Sequence, residues 1–178
     1  MGDYEDRGGA RVHRLANLAG NVELGVGTRV DAFVTITGNV KIGRSCHIST
    51  AACIFGGAGF SMGDYSALSA GVKVFTTTED VSGDSMTNPC APEKYRAPIV
   101  APVRVGDHCV VGANSVLLPG ADLPDGAVVG ALSLVKAQLS AWAIYAGVPA
   151  RFIKSRSNNV LLLQDQLEKE SKCPSSQS

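Results

Sequence analysis

Aliphatic residues recur at every sixth position of this chain, in two long runs. Leu24, Val30, Ile36, Ile42, Ile48 and Ile54 form the first; Val105, Val111, Leu117, Leu123, Val129 and Val135 form the second. Glycine follows several of them directly, as at Gly25, Gly43, Gly106, Gly112 and Gly130. A period of six fits neither a helix (3.6) nor one long strand (2.0). It fits a chain that makes a short strand, turns and repeats, so that each coil buries its aliphatic row against the next. Hexapeptide repeats of this kind predict a parallel β-helix.

The rest of the composition narrows the partners. The chain has 178 residues, 45% hydrophobic and 18% charged, with a formal net charge of zero. That suits one domain with a sizeable core and argues against a basic face for nucleic acid. No apolar run is long enough to span a membrane. The N-terminus, Met1-Gly2-Asp3-Tyr4-Glu5-Asp6, is polar and lacks the apolar stretch of a signal peptide, so a cytoplasmic protein is expected. The five cysteines show no CxxC spacing, which fits reduced thiols. Cys46 and Cys109 each follow a repeat aliphatic by four positions, where other coils carry small residues, and read as packing residues.

The period extends weakly upstream through Val12 and Leu18. After Ile54 it slips by two positions, to Met62, Leu68 and Val74. The segment Phe55-Gly56-Gly57-Ala58-Gly59-Phe60 absorbs the slip, and its glycines suit a bulged corner. Between Val74 and Val105 the period vanishes. Residues 75–104 are rich in Thr, Asp and Pro and read as an ordered functional loop inserted in the coil. After Val135 the repeat ends, and residues 159–172 suit a short helix placed to cap the open end of the coil. The expected division is a β-helix domain over 1–156 and a helix with a frayed tail over 157–178.

Three stretches carry a resemblance. One is Val105-Gly106-Asp107-His108-Cys109-Val110-Val111-Gly112-Ala113-Asn114-Ser115-Val116-Leu117-Leu118-Pro119-Gly120. The others are Val129-Gly130-Ala131-Leu132-Ser133-Leu134-Val135 and Tyr145-Ala146-Gly147-Val148-Pro149-Ala150-Arg151. Over most of residues 20–156 the chain resembles the hexapeptide-repeat acyltransferases, similar to galactoside, maltose and surface-polysaccharide acetyltransferases. The resemblance implies an all-β, left-handed parallel β-helix assembled as a homotrimer. It also implies acetyl-CoA as co-substrate in a cleft between subunits, with a sugar or nucleotide-sugar acceptor entering near the long loop.

Acyl transfer from a thioester needs a proton acceptor for the attacking group, donors for the oxyanion, and a held pantetheine arm. By motif position, Ala113 and Ala131 match the family residues whose backbone approaches that arm; simple corner packing is the alternative. The CoA phosphates need cations. Lys136, Arg151 and Lys154 cluster where the coil ends, with Arg156 beside them as an ordinary surface charge. Relatives carry a histidine in the loop after the strand equivalent to residues 72–75. Here that stretch, Thr76-Thr77-Thr78-Glu79-Asp80-Val81-Ser82-Gly83-Asp84, has none, and Glu79 or Asp80 falls near its place. A buried carboxylate can serve as base. The missing histidine lends support to an amine acceptor, which needs less help than a hydroxyl.

In the loop, Asp84, Asn88, Tyr95 and Arg96 are candidate acceptor contacts, although Asp84 and Asn88 also sit in turn-like contexts. The three histidines read as surface (His13), core-edge packing (His47) and a corner residue able to reach a neighbour's cleft (His108). No Cys/His cluster has metal-ligand spacing, so no metal is expected. Acetyl transfer to a sugar or nucleotide-sugar, in surface polysaccharide synthesis, is the leading expectation. A non-catalytic β-helix scaffold is the alternative. A carbonic-anhydrase-like β-helix would need metal histidines that the chain lacks.

Overall fold

A computed structural model describes residues 3–172. The chain winds as a parallel β-solenoid whose coils each contribute a short strand to three faces. On the first face Val12, Val30, Ile48, Leu68, Val111, Val129 and Tyr145 stand in parallel register. On the second, Leu18, Ile36, Ile54, Val74, Leu117 and Val135 do so. Leu24, Ile42, Met62, Val105 and Leu123 form the third row. All the repeat aliphatics therefore point inward. Ile36, Ile48, Ile54, Leu68, Leu117 and Leu123 are completely buried, each worth roughly 1.5–3 kcal/mol of apolar burial.

Three hexapeptides make one coil, so stacked positions lie 18 apart, as with Thr28 and Cys46. The glycine-rich slip lengthens one coil, and Arg44 meets Asp64 at a separation of 20. Its strand, Cys53–Met62, pairs Gly38 with Gly56 and then Val40 with Phe60. The extra residues thus bulge outward while the aliphatic rows stay aligned. Gly38 has φ +91°, and a Cβ there would come within 2.6 Å of the Gly56 carbonyl carbon. Only glycine satisfies both conditions.

The long insertion raises the separation to 43, between Ser66 and Cys109, without breaking the stack. Its roots are two short strands, Thr77–Thr78 and Ile99–Val100, paired antiparallel. Buried Thr76 joins this root to the bulge: its hydroxyl donates to the Phe55 carbonyl at 2.8 Å and accepts from the Ala58 amide at 3.0 Å.

Corners use left-handed residues, among them Ser45, Tyr65, His108 and Trp142 on one edge and Phe33, Ala51, Asn114 and Leu132 on another. At the first edge the next residue turns inward and must be small, which places Cys46, Ser66, Cys109 and Ala143 there, all buried. Cys46 and Cys109 are packing residues. Burial pushes both thiols up, Cys109 to about 11.

At its ends the first face is finished by antiparallel strands. Tyr4–Arg7 covers Ala10–His13, and Arg151–Ser155 folds back on Ala143–Ala146. The helix Val160–Lys172 does not cap the coil end as the sequence predicts. It runs back along the corner edge, where Gln164 Oε1 meets His108 Nε2 at 2.6 Å and Arg44 donates to Glu168 at 2.7 Å. The antiparallel strand already occupies the terminal edge, which leaves the helix the corner. The expected frayed tail beyond residue 172 lies outside the described residues.

Candidate active site

Parallel register sorts the outward residues of the first face into two rows. One runs His47, Ala67, Val110, Val128 and Ile144, with Lys154 beyond. The other is set by amide bonds from Asp31, Ser49, Ser69, Gly112 and Gly130 to the coil above. It ends on Ala146, whose antiparallel partner is Arg151. From Ser49 to Ala146 this row carries nothing larger than a hydroxymethyl group. Coil spacing of about 4.8 Å makes it a smooth strip roughly 20 Å long. Two cations, Arg151 and Lys154, stand at one end; Asp31 and His47 stand at the other.

Ala113 and Ala131 sit beside this strip on the adjoining corner, one coil apart. The Leu132 amide donates to the Ala113 carbonyl at 2.9 Å. Neither alanine amide donates in any hydrogen bond among the described residues. Lys136 follows Leu134–Val135, exposed on the second face. Arg156 is not a free surface charge. It donates to the carbonyls of His108 and Gly126 at 2.6 and 2.9 Å and lies over the Trp142 ring. Its role is to fasten the chain to the corner edge.

The loop's acidic pair is committed to the loop itself. Glu79 is gripped by Arg96 through two contacts, one from Nε to Oε2 at 3.3 Å. Asp80 accepts from the Ser82 amide and hydroxyl and from the Ser85 hydroxyl, at 2.8–2.9 Å. These hydrogen bonds hold its carboxyl below the usual carboxylate range, which makes it a weak proton acceptor. Asp84 and Tyr95 meet in an open cleft of about 540 Å³ with Lys94 and Arg96. Asn88 is not part of that cleft; its side chain accepts from the Cys90 amide at 2.9 Å and shapes a turn.

His108 is 5% exposed, stacked on Tyr65 and bonded to Gln164, so it faces the helix rather than a cleft. His13 accepts the Leu15 amide at Nδ1. His47 is not core-edge packing. Its ring is partly exposed, and Nε2 meets Asp31 Oδ2 at 2.7 Å. Asp31 also accepts from Tyr4 Oη at 2.7 Å and Arg29 Nε at 2.6 Å. Burial alone would raise this carboxyl, but the bonds from Arg29, His47 and Tyr4 outweigh it and bring it down to about 2. The residue-by-residue reading of the sequence missed this cluster. Its signal was the coil length: a step of 18 sets His47 beside Arg29, hence near Asp31. Among the described residues, no group of three or more His, Cys, Asp or Glu is placed to hold a metal ion. No described helix is long and apolar enough to cross a membrane.

Residues 102–131 match the family described as the hexapeptide repeat of succinyl-transferase. The chain is 35% identical over 118 residues to an Escherichia coli dTDP-4-amino-4,6-dideoxy-D-glucose acyltransferase, covering 66% of this chain and 62% of that one. It thus spans about three fifths of that relative's length. It also superposes on AntD, an N-acyltransferase from Bacillus cereus solved with dTDP-4-amino-4,6-dideoxyglucose and coenzyme A. There the TM-score is 0.89 at 30% identity, over 92% of this chain and 89% of AntD. A maltose O-acetyltransferase from Clostridium difficile shares the fold, with TM-score 0.51 and 20% identity over 82% of this chain and 72% of that one.

Proposed function

The chain belongs to the hexapeptide-repeat acyltransferase family, and from that premise we propose that it transfers an acyl group from acyl-CoA to the amino group of a nucleotide-linked amino sugar. The observation that carries this reading is the first-face strip, smooth along its length and cationic at one end. Its length suits an extended pantetheine arm, and Arg151 and Lys154 suit the CoA phosphates. Ala113 and Ala131 present free turn amides beside the arm, with Lys136 an outlying cation. Small side chains let the thioester lie against backbone.

The acceptor belongs on the side of the inserted loop, where Asp84 and Tyr95 share a cleft. Asp84 supplies that cleft with a carboxylate for an ammonium group, while Glu79, Asp80 and Asn88 hold the loop's shape through their own hydrogen bonds. An amine acceptor accords with the N-acyl activity of AntD and with the absence of histidine from residues 76–84. Acetyl is one candidate acyl group; AntD has also been solved with 3-hydroxybutyryl-CoA.

A homotrimer, with the cleft between copies, is supported by exposed Leu15 and Phe33 on adjacent coils of one edge, an apolar pair that a neighbour would cover. A cytoplasmic location is supported by the four free cysteines among the described residues. A role in polysaccharide synthesis is supported by 33% identity over 94 residues, 51% of this chain and 48% of that one, to a putative lipopolysaccharide biosynthesis O-acetyl transferase of Escherichia coli.

The test is thiol release from acetyl-CoA and 3-hydroxybutyryl-CoA, with dTDP-4-amino-4,6-dideoxyglucose and its hydroxy counterpart as acceptors. Release that depends on the amino sugar supports the reading. Release with the hydroxy sugar alone moves the assignment to O-acylation. A scaffold would show no release and no thermal stabilisation by CoA.

A further inference from the structure

We propose that the C-terminal end of the solenoid docks on an anionic lipid surface. The inference is independent of the acyl-transfer reading and rests on an end that the fold leaves uncovered.

No coil follows the last one. Its first-face strand, Ala143–Ala146, is finished only by the antiparallel strand Arg151–Ser155, all of whose residues are exposed. Val148, Phe152 and Ile153 therefore stand in solvent at this end. The chain then fastens to the last corner through the Arg156 amide, which donates to the Trp142 carbonyl at 2.7 Å, and the helix begins at Val160. That helix turns polar residues to the coil, Gln164 to His108 and Glu168 to Arg44. Leu161, Leu162 and Leu163, in its first turn, are left exposed beside the same end. Packing on the coil alone would bury that leucine face rather than the polar one. Large apolar side chains gathered around one uncovered end mark an interaction surface.

Charge selects the occupant. Between Asp125 and Asp165 the sequence has no carboxylate side chain, while it carries the cations Lys136, Arg151, Lys154 and Arg156. The formal net charge of the whole chain is zero, so the rest of it is net acidic and an anionic surface attracts this end selectively. A second copy docked end to end would bring like charges together. The opposite end of the solenoid offers no complement. Asp3, Glu5 and Asp6 are balanced there by Arg7, Arg11 and Arg14, with Asp3 paired to Arg14 at 3.2 Å and Glu5 to Arg7 at 3.6 Å. Apolar side chains interleaved with cations, as in Arg151-Phe152-Ile153-Lys154, suit a bilayer interface. The apolar groups enter the headgroup layer and the cations meet lipid phosphates.

The test is flotation of the full chain with phosphatidylcholine vesicles, with and without about 30% phosphatidylglycerol. The expected result is a partition at least about tenfold stronger onto the anionic vesicles at low salt. It should be lost in about 1 M salt, where the screening length falls to about 3 Å. Ile153→Ser combined with Leu162→Ser should lower that partition about tenfold, with the melting temperature of the wild type. Arg151 and Lys154, which also border the first-face strip, stay intact in that variant. No partition onto anionic vesicles, or equal partition onto neutral ones, overturns the proposal. So does undiminished partition of the double variant. Self-association in sedimentation velocity that the double variant loses, with no partition onto vesicles, would give the face to a second copy instead. Absence of thiol release with amino sugars would leave the lipid contact standing, because vesicle partition is measured without substrate.

Discussion

The backbone amide of Cys109 donates to the hydroxyl of Ser66 at 2.8 Å, across 43 positions of sequence. The same hydroxyl donates to the Gly106 carbonyl at 2.8 Å. One buried side chain therefore ties together the coils on either side of the inserted loop. Ser66→Ala leaves a buried amide and a carbonyl without partners, at a cost of about 1–3 kcal/mol. Denaturant unfolding should show that loss with an unchanged m-value. Ser66→Thr, which keeps the hydroxyl, should recover part of it.

Asp31 gives the acid limb of stability a specific origin. Its carboxyl is depressed from its ordinary 3.8 to about 2 in the folded chain. A depressed carboxyl stabilises the fold above the unfolded value and loses that contribution as pH falls through the folded one. The window is thus pH 4 down to 2, worth on the order of 2 kcal/mol. Thermal melts of Asp31→Asn across pH 2–5 should be flatter than those of the wild type. Equal slopes would mean that Asp31 is not the titrating group.

Arg96 holds Glu79 in the loop, and both side chains are about four-fifths buried. Arg96→Met leaves the carboxylate without its partner and slackens residues 79–96. The global cost should be small, because the pair lies outside the coil. Acceptor KM should rise about tenfold while CoA binding by calorimetry is unchanged. A selective loss of CoA affinity would move the loop's role to the other substrate.

Arg151 and Lys154 extend from the terminal antiparallel strand. Each charge-assisted contact to a CoA phosphate is worth about 1.5–3 kcal/mol. Arg151→Ala and Lys154→Ala should therefore each raise KM for acyl-CoA by about tenfold or more. The control is an acyl-pantetheine substrate without the nucleotide phosphates, whose KM should not change. Lys136→Ala, on the adjoining face, should have the smaller effect. An equal loss with both substrates would show the cations acting on the fold.

The solenoid was legible in the sequence because its core is one-dimensional. The repeat aliphatics from Leu24 to Val135 belong to rows that the period alone identifies, whereas buried Thr76 and Val103 lie in its interruption. The bulge at residues 55–60 and the excursion at 75–104 were legible as interruptions of that period. The small packing role of Cys46 and Cys109 followed from their phase. The C-terminal helix was legible as a helix but not in its placement, because no repeat signals that Gln164 and Glu168 meet His108 and Arg44. Arg156 was misread for the same reason: its carbonyl partners lie on other coils.

By itself the amino-acid sequence determined that this chain coils with a six-residue period, where the coil is interrupted, and which residues face inward. A strand that buries one row against its own copies needs no other information. Only the tertiary structure decided which outward side chains become neighbours. Stacking one coil on another converts a separation of 16 into a 2.7 Å contact between Asp31 and His47, while it commits Glu79 to Arg96 within the loop. The inward rows are set by hydrophobic burial, which is non-directional and readable from pattern. The outward contacts are set by hydrogen bonds, whose strict geometry depends on register and corner conformation.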